Sequence, residues 1–221
     1  MLELSRIVKS FGSSRVLDGV NLKVDDGEAV CIAGANAAGK TTLLTIAAGM
    51  QKPDSGSVAA EGKLGYVPQE PALFGEMTVR DHLRLWYAAN NLPGKLLFSA
   101  SAPETLLGLH LHARKRADRL SGGVRKRLSI ACALAGDPPG LLLGEPFTAL
   151  DLQTKTDILA LLSDLKQRRK GLLFTSHDPS AVAAAADRVL LLRDGAISGE
   201  IRLVGEQEDR IAQVIALLSQ T

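Results

Sequence analysis

The chain alternates short apolar runs with longer stretches in which apolar residues recur at helical spacing. The runs predict strands near residues 2–8, 20–24, 28–33, 57–67, 140–143, 171–175, 187–193 and 196–203. The periodic stretches predict helices near residues 40–48, 79–90, 103–110, 122–136, 153–168, 179–186 and 207–219. Because strands and helices alternate along the chain, the pattern predicts an α/β fold with a mixed sheet.

Turn and capping signals refine this pattern. The pairs Asp26-Gly27 and Asp194-Gly195 lie between apolar runs and predict hairpin turns. Thr78 with Asp81 three residues later predicts a capping box at the start of a helix.

The segment from about 71 to 135 is almost purely helical in pattern, and strands flank it on both sides. With 221 residues, the chain is long enough for one well-buried α/β domain and short for two. We therefore expect a single domain over 1–221, with a core of about 1–70 and 136–221 and an inserted helical subdomain of about 71–135.

Composition excludes several classes of function. A formal net charge of +2 does not favour a dedicated nucleic-acid binder, so no nucleic-acid partner is expected. No apolar stretch approaches the length needed to span a bilayer, and no targeting segment opens the chain. Cys31 and Cys132 lie in apolar surroundings, which favours small core residues in a reducing compartment over a disulfide or metal pair.

A loop of small residues directly follows the apolar run that ends at Ala33. It reads Gly34, Ala35, Asn36, Ala37, Ala38, Gly39, Lys40, Thr41 and Thr42. This spacing predicts a phosphate-binding P-loop, in which consecutive backbone N–H groups and a helix N-terminus surround an anionic phosphate. A plain strand-to-helix connection is the alternative, but lysine and two threonines directly after the second glycine argue against it.

Three positions of the loop carry specific expectations. Lys40 can reach the outer phosphates, and the Thr41 hydroxyl can ligate Mg²⁺. Ala37 is a weaker feature, because many loops of this type have glycine there. An alanine held at positive φ costs about 1 kcal/mol.

Runs elsewhere in the chain narrow the class. In chain order they are Gly65-Tyr66-Val67-Pro68-Gln69, Leu120-Ser121-Gly122-Gly123-Val124, Leu141-Leu142-Leu143-Gly144-Glu145-Pro146, Ala149-Leu150-Asp151 and Thr175-Ser176-His177-Asp178. Together with the loop, this series resembles the ATP-binding subunit of ATP-binding-cassette (ABC) transporters over essentially the whole chain. The resemblance implies the ABC ATPase fold, with ATP and Mg²⁺ as cofactors.

The resemblance also implies roles for single residues near one nucleotide. Gln69 corresponds to the Q-loop glutamine, which is expected to contact the metal. Glu145 corresponds to the catalytic glutamate that polarises the attacking water, and His177 to the switch histidine on the γ-phosphate. Phe11 resembles the aromatic residue on which adenine stacks, although an aromatic at this place is otherwise often a core or edge-strand residue.

Other residues are implied to act across a subunit interface. Ser121, Gly122 and Gly123 resemble the signature loop that closes on ATP held by a second subunit, and Asp151 resembles the D-loop aspartate. The implied partners are a second ATP-binding subunit, as a homo- or heterodimer, and polytopic membrane subunits. The implied location is cytoplasmic, peripheral on the cytoplasmic face of the membrane through those subunits.

The sequence departs from the family pattern where the strand before Glu145 ends. The family normally has aspartate at this position, and here Gly144 stands instead. Losing an outer-shell metal partner of this kind typically costs about 10–100-fold in metal affinity or activity. Restoring an aspartate at 144 is therefore expected to raise Mg²⁺-dependent turnover. Val124 also replaces the usual glutamine of the signature loop.

Several hypotheses on function stay open at this level. The leading one is a subunit that binds and hydrolyses ATP to power a membrane transporter through ATP-driven dimer closure. Two features resemble small exporter ATPases, among them the haem-exporter subunit of cytochrome c maturation and ABC-2-type exporters. They are the short connection from Lys40 to Gln69 and the run Glu145-Pro146-Phe147-Thr148-Ala149-Leu150-Asp151. The alternatives are a regulatory or assembly subunit with slow or absent hydrolysis, and a soluble ABC-type ATPase in cofactor assembly.

Overall fold

The computed structural model describes residues 1–219, which form nine strands and seven α-helices joined by turns and short 3-10 helices. The strands are β1 (Leu2–Phe11), β2 (Ser14–Val24), β3 (Ala29–Ala33), β4 (Ser55–Ala60), β5 (Gly65–Val67), β6 (Gly140–Leu143), β7 (Gly171–Thr175), β8 (Arg188–Arg193) and β9 (Ala196–Arg202). The helices are α1 (Lys40–Ala47), α2 (Val79–Ala89), α3 (Pro103–Leu106), α4 (Gly122–Leu134), α5 (Leu152–Gln167), α6 (Pro179–Ala185) and α7 (Gln207–Leu218). The last two residues of the predicted domain, Gln220 and Thr221, lie outside the described residues.

The central sheet has six strands in the order β5-β6-β7-β3-β8-β9. Its first five strands run parallel, and β9 pairs antiparallel with β8. The strands β3, β6 and β7 are buried along their whole length, which is why their sequences are continuous apolar runs. The prediction of an α/β fold with a mixed sheet is confirmed.

The two predicted hairpin turns have different outcomes. Asp194 and Gly195 have φ values of 46° and 77° and join β8 to β9, which confirms a two-residue hairpin there. Gly27 also turns the chain, with φ of 73°, but β2 and β3 belong to different sheets. The prediction of a hairpin at Asp26-Gly27 is therefore wrong, because a local turn signal does not specify which strands pair.

A separate antiparallel sheet has the strand order β2-β1-β4. Its first two strands extend well beyond the predicted 2–8 and 20–24, because register shifts interrupt the simple alternation of apolar and polar residues. The predicted strand 57–67 is two strands, β4 in this sheet and β5 in the central one. The chain crosses between the sheets at Gly62, which has φ of 104°.

The region between β5 and β6 contains α2, α3, α4 and three 3-10 helices. The capping box of Thr78 and Asp81 is confirmed, with both reciprocal hydrogen bonds present. The predicted helix 103–110 instead ends at Leu106, because Gly108 takes a left-handed conformation with φ of 69°. The division into a core and a helical subdomain stays a prediction.

Two apolar clusters pack against opposite faces of the central sheet. Cys31 belongs to one cluster, while its neighbours Val30 and Ile32 belong to the other. Cys31 and Cys132 are both buried and free of disulfide bonds, as expected of core residues. Among residues 1–219, no helix has both the length and the apolar character required to cross a bilayer.

Candidate functional site

The loop of residues 34–39 connects β3 to α1, and its two glycines are required by geometry. A Cβ on Gly34 would lie 2.3 Å from the carbonyl oxygen of Leu192, and the φ of Gly34 is 149°. A Cβ on Gly39 would lie 2.9 Å from the carbonyl oxygen of Val16, at a φ of 101°. A side chain at either position would move a neighbouring strand, so both glycines set the path of the loop.

Ala37 lies between these glycines and has φ of 65°. The sequence-based expectation of a strained alanine is thus met, with a cost of about 1 kcal/mol. Strained backbone of this kind often occurs at ligand-binding sites.

Lys40, the first residue of α1, folds its side chain back over the loop. Its Nζ donates hydrogen bonds to the carbonyl oxygens of Gly34 and Ala35, both at 2.8 Å. Burial lowers the pKa of Lys40, while the Glu145 carboxylate acts in the opposite direction. An ammonium held only by carbonyls can exchange them for a phosphate oxygen, which is a stronger, charge-assisted acceptor.

A cavity of about 370 Å³ opens beside the loop. Its lining comes from five separate parts of the chain: β2, the loop with α1, the segment after β5, the segment after β6, and the end of β7 with the residues that follow it. The lining residues are Val16, Asn36, Ala37, Gly39, Lys40, Thr41, Thr42, Gln69, Glu145, Thr175 and His177. The structure thus brings the predicted phosphate, metal and catalytic residues to one place.

Glu145 follows β6 and is buried, with 7% of its surface exposed. Its Oε2 accepts a hydrogen bond from Thr148 Oγ1 at 3.0 Å and lies 3.0 Å from His177 Nδ1. The backbone N–H of Glu145 donates to Thr175 Oγ1 at 3.0 Å, which fixes a residue with φ of 44°. The carboxylate is therefore held in one orientation at the edge of the cavity.

Sequence reasoning missed the two threonines that hold Glu145. Thr148 and Thr175 stand close to Glu145 and His177 in the chain, but their roles depend on distances across the fold. His177, which the resemblance implies as the switch histidine, lines the cavity, and its side chain is 66% exposed.

Eight predicted residues do not line this cavity. Three belong to the loop itself, namely Gly34, Ala35 and Ala38, and the other five are Phe11, Ser121, Gly122, Gly123 and Asp151. Phe11 ends β1, is half exposed and lies 5.7 Å from the Lys9 ammonium.

The signature residues and Asp151 form one surface instead. Ser121 caps α4, and its Oγ accepts from the N–H of Val124 at 3.4 Å. Asp151 caps α5, and its carboxylate accepts from the N–H and the hydroxyl of Thr154, both at 2.8 Å. A Cβ on Gly123 would lie 2.9 Å from Thr154 Oγ1, so the two helix starts touch each other.

The oxygen donors of the cavity suit Mg²⁺, which prefers carboxylate, hydroxyl and amide oxygens together with phosphate and water. Thr41, Gln69 and Glu145 supply such atoms within one cavity. Gly144 adds none, and no group of three or more His, Cys, Asp or Glu residues within 1–219 could hold a metal on its own. The donor set fits a metal that is bound mainly through a nucleotide.

Gly144 itself is in close contact with the segment that carries Gln69. A Cβ built on Gly144 would lie 2.8 Å from the Gln69 nitrogen and 3.3 Å from the Pro68 carbonyl carbon. An aspartate at 144 would therefore have to displace that backbone. This close contact argues against the expectation that Gly144→Asp raises turnover.

The parallel sheet, the loop between β3 and α1 and the cavity at the carboxyl ends of the strands define the P-loop class of α/β proteins. The family model described as ABC transporter matches residues 17–148. This chain belongs to the ABC transporter family.

Relatives of known name support the same assignment. A sulfate/thiosulfate import ATP-binding protein of Bradyrhizobium diazoefficiens is 35% identical over 225 residues, which cover 94% of this chain and 64% of the relative. An aliphatic sulfonates import ATP-binding protein of Corynebacterium glutamicum is 38% identical over 199 residues, covering 86% of this chain and 79% of the relative. The chain thus spans less than two thirds of the sulfate/thiosulfate relative.

Solved structures agree on the fold. An ATP-binding subunit of an ABC transporter superposes with a TM-score of 0.85 at 23% identity, covering 97% of this chain and 99% of that one. A dimeric ATP-binding cassette in a post-hydrolysis state, bound to ADP and Pi, superposes with a TM-score of 0.78 at 28% identity. That match covers 93% of this chain and all of the other. The ABC ATPase fold that the sequence predicts is confirmed.

Proposed function

We propose that this chain is the ATP-binding and ATP-hydrolysing subunit that powers a membrane transporter. The observation that carries the proposal is the cavity in which Lys40, Thr41, Gln69, Glu145 and His177 meet from separate parts of the chain. Family membership supports it, because named relatives are ATP-binding proteins of transport systems.

The phosphates of ATP would lie against the backbone N–H groups of residues 35–39 and the start of α1. Lys40 would leave its two carbonyl partners for the outer phosphates, and Thr41 with Gln69 would hold Mg²⁺. The metal, when bound, neutralises charge on the β- and γ-phosphates. Phe11 would stack on the adenine from the end of β1.

Glu145 would orient and polarise the attacking water. The contacts with Thr148 and His177 both fall on Oε2, so within the described residues 1–219 Oε1 is available to accept a hydrogen bond from water. His177 would contact the γ-phosphate through its exposed ring. A general base that is already held by its neighbours needs little reorganisation before the reaction.

A second ATP-binding subunit, identical or different, would complete each nucleotide site. Ser121, Gly122 and Asp151 are exposed and lie outside the cavity, so they are available to ATP bound by that partner. Leu152 beside them is 82% exposed, which is unusual for a leucine and typical of an interface.

A groove on another side of the molecule would receive a cytoplasmic segment of a polytopic membrane subunit. The groove has a volume of about 590 Å³ and is lined mainly by apolar side chains, including Met50, Leu73 and Trp86. Pro68 and Ala72, on either side of Gln69 in the chain, also line the groove, so a segment seated there would contact the same loop that lines the nucleotide cavity. Phe74, the residue after Leu73, is 62% exposed.

This arrangement would place the protein in the cytoplasm, on the cytoplasmic face of the membrane through its partners. The named relatives are import proteins, and they lend no support to an exporter or to cytochrome c maturation. The direction of transport stays a prediction, which transport of labelled substrate into inside-out and right-side-out vesicles would test.

Gly144 favours a second form of the proposal, in which the subunit binds ATP but hydrolyses it slowly. The missing carboxylate removes a metal partner while Lys40, Glu145 and His177 all remain. A regulatory or assembly role would follow from binding alone.

The proposal is tested by co-purification and turnover together. The expected result is that the chain binds a polytopic membrane protein, that ATP turnover rises in the complex, and that Trp86→Glu abolishes both effects. Leu111→Glu is the matched control, because Leu111 is 73% exposed and does not line the groove. Equal binding by wild type and Trp86→Glu would contradict this docking surface, and turnover without any membrane partner would favour a soluble ATPase.

A further inference from the structure

Lys126 is a buried lysine without an acidic partner at contact distance among the described residues. It lies on α4, and only 4% of its surface is exposed. Its Nζ donates to the carbonyl oxygen of Gln69 at 2.7 Å and to those of Pro68 and Gly144 at 3.4 Å. An ammonium is rarely buried in this way, because it loses its hydration.

The three carbonyls come from two separate segments. Pro68 and Gln69 belong to the loop after β5, and Gly144 directly follows β6. The backbone N–H of Gly144 also donates to the carbonyl oxygen of Val67 at 2.8 Å. The loop therefore lies directly on the end of β6, with the ammonium bound to both.

The absence of a side chain at Gly144 explains why the loop after β5 can lie so close to the end of β6. A Cβ at this position would lie 2.8 Å from the Gln69 nitrogen and 3.2 Å from its Cα, closer than side chains approach backbone. Only a residue without a side chain allows the observed approach. Gly144 and Lys126 thus act on the same short segment from two sides.

We propose that Lys126 is a positioning residue that fastens the loop carrying Pro68 and Gln69 to the end of β6. The loop can lie there because Gly144 has no side chain. The role of Gln69 in the nucleotide site rests on the proposed function, whereas the fastening itself does not. Because Lys126 lies on the helix that Ser121 caps, any movement of α4 would be passed to Gln69 through the ammonium.

The proposal is tested with Lys126→Met, which removes the ammonium but keeps the length of the side chain, and with Lys126→Arg, which keeps the charge. Lys170→Met is the matched control, because Lys170 Nζ also binds a backbone carbonyl, that of Asp137, at 3.2 Å. Amide hydrogen exchange is measured on each nucleotide-free protein.

In Lys126→Met, exchange is expected to rise about tenfold or more in the peptide covering 66–73 and in the residues around 144. Exchange in β1 and β2 should not change, and Lys126→Arg should retain at least part of the protection. A purely structural role would instead raise exchange throughout α4 and the core. That pattern, or an unchanged peptide 66–73, would overturn the proposal.

If Lys126→Met does not fold, a second variant, Gly144→Ala, still tests the proposal. Gly144→Ala should raise exchange in the same peptide, since the added Cβ moves the same loop, and unchanged exchange there would overturn the proposal. Binding of ATP by the wild type is measured separately. Absent binding would count against the proposed function and leave the fastening of the loop intact.

Discussion

The substitution Gly144→Ala gives the most direct view of how the loop after β5 is packed. The new Cβ would lie 2.8 Å from the Gln69 nitrogen, so the loop must move by several tenths of an ångström. Overpacking of this kind costs about 2 kcal/mol. Loss of backbone freedom in the unfolded chain returns about 0.5 kcal/mol, because the φ of Gly144 is outside the left-handed region.

The net destabilisation is then about 1.5 kcal/mol, which lowers the Tm of a domain of this size by roughly 3–6 °C. Gly94→Ala is the matched control, because a Cβ there would meet no atom within 4 Å. Its Tm should stay constant or rise slightly. Differential scanning fluorimetry and chemical denaturation of the three proteins measure both effects.

Gly144→Asp introduces the same Cβ together with a carboxylate. The backbone of Gln69 would be displaced, because the Cβ alone would lie 2.8 Å from the Gln69 nitrogen, and the carboxylate adds further bulk. Turnover should therefore not rise, although the family pattern would be restored. A Gly144→Asp protein with unchanged Tm and faster Mg²⁺-dependent turnover would refute this reasoning.

Three further predictions concern other parts of the fold and site. Glu145→Gln should lower turnover about 10²–10⁴-fold with little change in ATP affinity, and a wild-type rate would contradict its proposed role as base. Gly34→Ala should lower the free energy of unfolding clearly more than Gly49→Ala does. An alanine at 49 would have a left-handed φ of 70° but no neighbour within 4 Å, which costs about 1 kcal/mol. Equal losses in urea titrations would contradict the contact of Gly34 with β8. Burial opposes ionisation of Asp178, but bonds from Lys155 and two backbone N–H groups hold its pKa below the usual 3.8. The carboxylate thus stabilises the fold above that pH and loses the effect as the pH falls, so Lys155→Met should unfold at a higher pH on acid titration than wild type.

Sequence alone predicted those features of the site that depend on neighbours in the chain. The path of the phosphate loop follows from the spacing of Gly34 and Gly39, and the strain at Ala37 follows from its place between them. The capping box at Thr78 is equally local. Each of these features is decided within a few residues, where the steric rules of the backbone apply directly.

Features that depend on distant contacts could not be predicted in this way. The close approach of Gly144 to Gln69 joins residues 75 positions apart, so the sequence showed only a missing carboxylate. Lys126 looks like an ordinary polar position of a helix, since lysine is usually exposed. The split of the predicted strand 57–67 between two sheets likewise depends on partners far away in the chain.

The central claim, that this chain binds ATP at the loop of residues 34–42, is tested most directly by the dissociation constant for ATP. Isothermal titration of wild type, Lys40→Met and Lys52→Met compares the loop lysine with an exposed lysine outside the site. Wild type and Lys52→Met should bind equally, whereas Lys40→Met should bind about 10–100-fold more weakly, since it loses a charge-assisted bond to phosphate. Equal affinity of Lys40→Met and wild type, or no binding by wild type, would contradict the account.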